Sequence, residues 1–310
     1  MAETISITDV SPRDGLQNQA VHLSTEDKLE LIARLVAAGV NSVEATSFVS
    51  PKAVPQMADA GELVPRISAR FPQLRTSVLV PNLKGLERAH AAGAQEVAVV
   101  LSATETMNRK NINMGLDEAT EVSAQTVLAA HDKGLRTRAY VAVAFECPFE
   151  GKTPLAEVVR LATRMHATGA GEIVIADTIG AASPQKVRAL FAALRDVVPM
   201  DRLAVHLHDT RGLGAANAWA ALEAGVRRFD ASVGGIGGCP FAPGAAGNLA
   251  TEDLVLMAET SGFTTGLSLD ALLDAVDFAE QQLRRPLGGR SSAWLRRQRD
   301  KRLAAELQPA

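Results

Sequence analysis

The segment Leu203-Ala-Val-His-Leu-His-Asp209 carries two histidines separated by one leucine. Side chains of an extended chain alternate faces, so His206 and His208 point one way while Leu203, Val205 and Leu207 point the other. The two imidazoles then lie about 6–7 Å apart along one face, close enough to converge on one ion, and histidine is the commonest metal ligand. Two independently hydrogen-bonded histidines in a polar interior are the plainer alternative. Pro12-Arg13-Asp14-Gly15 adds a carboxylate able to act as a hard oxygen ligand, with a guanidinium beside it that can reach an anionic oxygen. An Arg–Asp pair in an ordinary turn is the competing reading. Asp14 with the two histidines makes a mixed oxygen and nitrogen set suited to Mg²⁺ or Mn²⁺, and tolerable for Co²⁺ or Zn²⁺.

Three further places carry polar groups that are expensive to bury without a task. In the fifteen residues from Gly234 to Asn248 six are glycine, so an unsupported linker is the bland alternative to a mobile lid beside the site. Cys239 would ride on that lid and Asn248 would anchor its far end, although a free thiol more often packs than reacts. Glu44 and Asp177 each interrupt one face of an apolar run, Ser42-Val-Glu-Ala-Thr46 and Ile173-Val-Ile-Ala-Asp177. We expect them to face inward and to hold Arg13 or a ligand histidine rather than touch a metal. A structural salt bridge would use the same residues.

What positions these groups is an alternation of short β-branched runs with Ala/Leu-rich amphipathic stretches. The candidate strands are Ser6–Val10, Ser42–Thr46, Thr76–Val80, Val97–Leu101, Arg138–Ala144, Ile173–Asp177, Leu203–His208 and Arg228–Val233. Helical stretches include Thr25–Ala38, Asp117–Lys133 and Thr210–Ala224, and glycines 39, 93, 134, 169 and 225 stand where helices should close. Parallel neighbours need crossover helices, and eight units without a break favour a closed (β/α)8 TIM barrel of the α/β class over an open sheet. Residues 1–283 form the expected barrel, with Ser268–Leu283 as an extra helix. Residues 284–310 form a charged, helical C-terminal extension that could cap the barrel, mediate assembly or lie loose. In such a barrel the reactive groups sit where strands end, as all of the residues above do.

Composition narrows the class. Hydrophobic residues make up 47% of the 310 and aromatic residues only 4%, so Ala, Val and Leu must fill the core. A net charge of −3 gives no reason to expect nucleic acid or an acidic membrane as partner. No apolar run approaches a membrane span, and the N-terminus lacks the marks of a signal peptide. Two cysteines, Cys147 and Cys239, read as thiols in a reducing cytoplasm.

Taken in order, the segments from Thr8 to about Glu259 resemble the 3-hydroxy-3-methylglutaryl-CoA lyase family of metal-dependent TIM-barrel lyases. The resemblance is carried by Ser11-Pro-Arg-Asp-Gly-Leu-Gln-Asn18, Ser47-Phe-Val-Ser-Pro-Lys52, Lys110-Asn-Ile-Asn113, Cys147-Pro-Phe-Glu-Gly151, Asp177-Thr-Ile-Gly180, His206-Leu-His-Asp-Thr210, the Cys239 loop and Asn248-Leu-Ala-Thr-Glu-Asp253. It implies Asp14, His206, His208 and Asn248 as ligands of Mg²⁺ or Mn²⁺, Arg13 as the arginine that steadies a thioester oxygen, and Cys239 as the catalytic lid thiol. Glu44 and Asp177 fall on acids lining the same site. The implied activity, part of leucine catabolism, is cleavage of 3-hydroxy-3-methylglutaryl-CoA to acetyl-CoA and acetoacetate, with Asp14 or a site water taking the hydroxyl proton. Related synthases of the same barrel superfamily usually have Gly-Glu-Gln after the Arg–Asp pair, where Leu16 stands here. Departures such as Arg211, where well-known lyases have tyrosine, keep citramalyl-CoA or a longer-branched 3-hydroxyglutaryl-CoA as alternative substrates. A Schiff-base aldolase would need a lysine on a strand core, and none is there. A catalytically silent acyl-CoA or metal binder would have no use for a lid acid. Assembly into a homo-oligomer is left open.

Overall fold

A computed structural model describes residues 2–238 and 247–306. Its barrel strands are β1 (Ser6–Asp9), β2 (Ser42–Ser47), β3 (Arg75–Leu79), β4 (Glu96–Ser102), β5 (Arg136–Ala142), β6 (Glu172–Asp177), β7 (Leu203–Leu207) and β8 (Arg228–Ala231), and a short antiparallel pair, Glu146–Cys147 with Gly151–Lys152, lies outside the barrel sheet. The eight barrel strands all pair in parallel with their neighbours, and the ring closes where Ser6 to Asp9 of β1 run beside Arg228 to Ala231 of β8. The expected (β/α)8 barrel is what forms. Because helices cover the outside and neighbouring strands the edges, β6 is buried at every residue, as a strand of a parallel sheet should be. Ala98, Val174, Ala176 and Ala204 keep part of the barrel interior narrow-sided around Tyr140.

Helices α1 (Thr25–Ala37), α2 (Ala60–Arg70), α3 (Leu83–Ala91), α4 (Glu105–Ile112), α5 (Leu116–Asp132), α6 (Leu155–Ala167), α7 (Pro184–Leu194), α8 (Gly214–Glu223) and α9 (Thr251–Thr260) lie between or after the strands. Helix α1 starts at a capping box in which Ser24 and Asp27 satisfy each other's backbone N–H. Glycines 39, 93, 134, 169 and 225 all take positive φ just past helix ends. Helix α8 begins at Gly214, later than the apolar periodicity from Thr210 suggests. Asp209 accepts the Gly214 N–H at 2.8 Å and so holds residues 210–213 in a turn.

Two helices follow the barrel. α10 (Leu269–Leu283) packs on α1, and α11 (Ser292–Glu306) lies along α10 through Arg296–Asp277, Arg299–Asp274 and Arg302–Asp270 pairs at 2.6, 2.9 and 2.6 Å. Among the described residues no helix is long and apolar enough to cross a membrane.

Candidate metal centre

Asp14 stands in a tight π-type turn, Ser11–Gly15, directly after β1. His206 is on β7, and His208 is one residue past its end, bridged to Asn248. These elements bring one ligand atom each from Asp14, His206 and His208 within 4.8 Å of one another. The two Nε2 atoms lie 3.2 Å apart. Asn248 joins them by donating its Nδ2–H to Asp14 Oδ2 at 2.9 Å and to the Ile236 carbonyl at 3.0 Å. Among the described residues its Oδ1 is buried and accepts no hydrogen bond. A carboxylate, two imidazole nitrogens facing each other and an orphaned amide oxygen form a donor set that fits one divalent cation.

Charge around the set is arranged to match. Burial opposes ionisation of Asp14, but the Arg13 guanidinium and then the two imidazoles outweigh it and hold the carboxyl below its usual value. Burial and the adjacent His206 pull His208 down to about 4, leaving a neutral ring with a lone pair to offer. Burial would lower His206 too, but hydrogen bonding to Asp230 and the charge of Asp14 raise it.

Arg13 is gripped from two sides. Its Nε donates to Glu44 Oε2 at 2.7 Å and its NH1 to Asp14 Oδ1 at 3.0 Å, while its NH2 also lies 2.7 Å from Glu44 Oε2. Glu44 is wholly buried next to a register shift in the β2–β3 pairing, a device that re-aims a side chain. Asp177 does something else. Its two oxygens accept the N–H groups of Ala181 and Ala182 at 2.7 and 3.0 Å, so it ties down its own βα turn and makes no hydrogen bond to Arg13 or to a histidine.

Cys239 lies outside the described residues. The segment's two roots are described: Gly238 O accepts from Asn18 Nδ2 at 3.0 Å, and Gly247 O accepts the Asp209 N–H at 3.2 Å. The glycines there have a steric reason. A Cβ on Gly247 would sit 1.9 Å from the Gly235 carbonyl oxygen, and one on Gly237 would sit 2.5 Å from Asn248 Nδ2.

Sequence reasoning passed over Asp230, Arg138 and Tyr140. Asp230 lies 3.3 Å from His206 Nδ1 and pairs with Arg138 and Tyr140 inside the barrel. The signal was the one that marked Glu44, an acid within a short apolar strand, here Phe229-Asp-Ala231.

A family model described as HMGL-like matches residues 4–279. The chain belongs to the HMGL-like family. Among its relatives, the mitochondrial hydroxymethylglutaryl-CoA lyase of Pongo abelii is 45% identical over 285 residues, 92% of this chain and 87% of its own. The crystal structure of the Bacillus subtilis HMG-CoA lyase superposes with a TM-score of 0.91 at 41% identity, over 95% of this chain and 98% of that one. An HMG-CoA lyase from Acinetobacter baumannii, solved with coenzyme A and 3-methylmalate, gives 0.89 at 40% identity, with 94% of each chain covered.

Proposed function

We propose that this HMGL-like chain is a carbon–carbon lyase that cleaves 3-hydroxy-3-methylglutaryl-CoA to acetyl-CoA and acetoacetate, with Mg²⁺ or Mn²⁺ held by Asp14, His206, His208 and Asn248. The observation that carries this is the convergence of three ligand atoms within 4.8 Å beside a paired arginine, in a chain whose relatives bear that lyase name.

A divalent cation supplies Lewis acidity toward the substrate's hydroxyl and carbonyl oxygens. The chain's own residues do the rest. Asp14 is a weak proton acceptor because its carboxyl sits low, so either it or a neighbouring water can take the hydroxyl proton only once that hydroxyl has been acidified. Arg13, fixed by Glu44 and Asp14, presents a permanent positive charge toward the thioester oxygen as negative charge develops there. Cys239 is the proposed donor of the proton that completes the acetyl group, with the Gly234–Asn248 segment excluding water.

A lyase for citramalyl-CoA or a longer-branched 3-hydroxyglutaryl-CoA is the second reading. Arg211 favours keeping it: the residue is fixed to Glu146 at 2.9 Å, and its charge reaches Asp177, so a cation foreign to the family pattern stands near the site. Incubating metal-loaded protein with each thioester and following acetoacetate or the corresponding oxo product tests both readings. Acetoacetate from hydroxymethylglutaryl-CoA supports the first, while turnover confined to another ester replaces it. No turnover of any CoA ester would leave a binding protein. We further propose residues 1–283 as the catalytic barrel and 284–310 as a C-terminal extension, of which Ser292–Glu306 lies along α10. A reducing compartment such as the cytoplasm suits the buried free thiol of Cys147.

A further inference from the structure

Asp230 on β8 is wholly buried, and neither the proposed ligands nor the proposed acids and bases give it a task. Its Oδ1 accepts from Arg138 NH2 at 2.6 Å, and its Oδ2 accepts the Tyr140 hydroxyl at 2.6 Å while facing His206 Nδ1 at 3.3 Å. Arg138, 2% exposed, is itself immobilised. Its Nε donates to Glu172 at 2.6 Å and its NH1 to the Tyr140 oxygen at 2.9 Å. The carboxylate therefore cannot turn without breaking two short bonds, one of them between full charges. A carboxylate can only accept, so the proton of a neutral His206 belongs on Nδ1. Nε2 is then left with its lone pair, on the side where His208 Nε2 lies 3.2 Å away.

We propose that Asp230, clamped by Arg138 and Tyr140, is a positioning residue that fixes His206 as its Nδ1–H tautomer and so presents Nε2 to a divalent cation shared with Asp14 and His208. The inference rests on the metal-site reading given above. It differs from a purely structural role, in which Asp230 only neutralises Arg138. That role gives Asp230 no influence on metal affinity once Arg138 is gone. Orientation through the outer nitrogen of a ligand histidine typically accounts for about 10- to 100-fold in metal affinity.

The test titrates Mn²⁺ by calorimetry into chelator-treated wild type, Asp230→Asn, and the double variant Arg138→Met/Asp230→Asn. The single variant strands a buried arginine. The double variant removes both members of the Arg138–Asp230 pair, which buried ion pairs tolerate far better than loss of one, and Glu172, which loses Arg138, keeps Arg228 at 3.3 Å. Both should bind Mn²⁺ about 10- to 100-fold more weakly than wild type. In a His206→Asn background, Asp230→Asn should cause no further loss, because two residues acting as one unit are not additive. Nitrogen-15 spectra of wild type at alkaline pH should show the proton of His206 on Nδ1. They keep the test decisive even if neither variant folds. A double variant that melts cooperatively and binds Mn²⁺ as tightly as wild type overturns the inference and leaves the metal site standing. So does a proton found on Nε2, or an undiminished loss in the His206→Asn background. Wild type that binds no Mn²⁺ overturns both readings.

Discussion

Arg13 shares with Glu44 an ion pair in which the carboxylate is fully buried, so replacing the arginine alone leaves a carboxylate in a place where water cannot reach it. Removing one partner of such a pair typically costs about 3–5 kcal/mol, and that loss would blur any catalytic effect. Arg13→Met is therefore best read together with Glu44→Gln. The double variant should keep nearly its full metal content, while kcat falls about 10²- to 10³-fold, as followed by metal analysis and product formation. Near-normal turnover would remove Arg13 from the mechanism. Asp177 makes a different statement about pH. Burial raises its carboxyl from 3.8 to about 6 against the two backbone N–H groups that favour the charge. The folded protein thus binds this proton more tightly than the unfolded chain. The resulting stability is present below about pH 4 and is lost as pH rises through about 6, by up to about 3 kcal/mol. Urea unfolding of chelator-treated protein should show wild type losing ground to Asp177→Asn across that window, and a difference independent of pH would refute the assignment. Asp14, Glu44 and the two histidines stood out in the sequence because each is a polar group at or beside an apolar strand. Asp230 carried that same mark and was passed over, and its pairing with Arg138 could not be read, because the two lie across the barrel on β8 and β5. No spacing along one segment reveals which strands face each other across a closed sheet.

At the scale of elements, the glycine-rich segment is held at its roots. Glu252 accepts the Gly234 N–H at 3.0 Å through one oxygen, and the Gly289 N–H at 3.2 Å and Ser292 hydroxyl at 2.8 Å through the other. The root of the segment and the start of the C-terminal extension therefore share one buried carboxylate. The close approach of Gly247 to Gly235 gives a sharp contrast. Gly247→Ala puts a methyl group against a backbone oxygen, whereas Gly238→Ala meets nothing within 4 Å among the described residues. The first should displace Asn248 and weaken Mn²⁺ binding at least about 10-fold, while the second should bind as wild type; calorimetry on both decides it. Farther along the segment, Cys239→Ser should lower kcat sharply with little change in substrate affinity, and a loss confined to affinity would make the thiol a binding group. Strands and crossover helices were legible from periodicity and closing glycines. The late start of α8 was not, since Asp209 captures the Gly214 N–H through a side chain and apolar spacing carries no trace of that bond.

For the whole molecule, the proposed ligands come from both ends of the chain. Asp14 follows the first strand, and Asn248 follows the last, which pairs with the first. Anything that binds the native state alone stabilises it by RT ln(1 + [L]/Kd), about 2.7 kcal/mol at a hundredfold excess over Kd. Saturating Mn²⁺ should raise the melting temperature of wild type by more than that of His206→Asn, which keeps the other three proposed ligands, and equal shifts in both would mean the ion binds elsewhere. A cation at this position would act as a rivet across the seam of the barrel. Its coordination would be incomplete in a chain still being synthesised, whose eighth strand and asparagine had yet to arrive, and complete only in the finished ring. Metal loading would then double as a check that the barrel has shut.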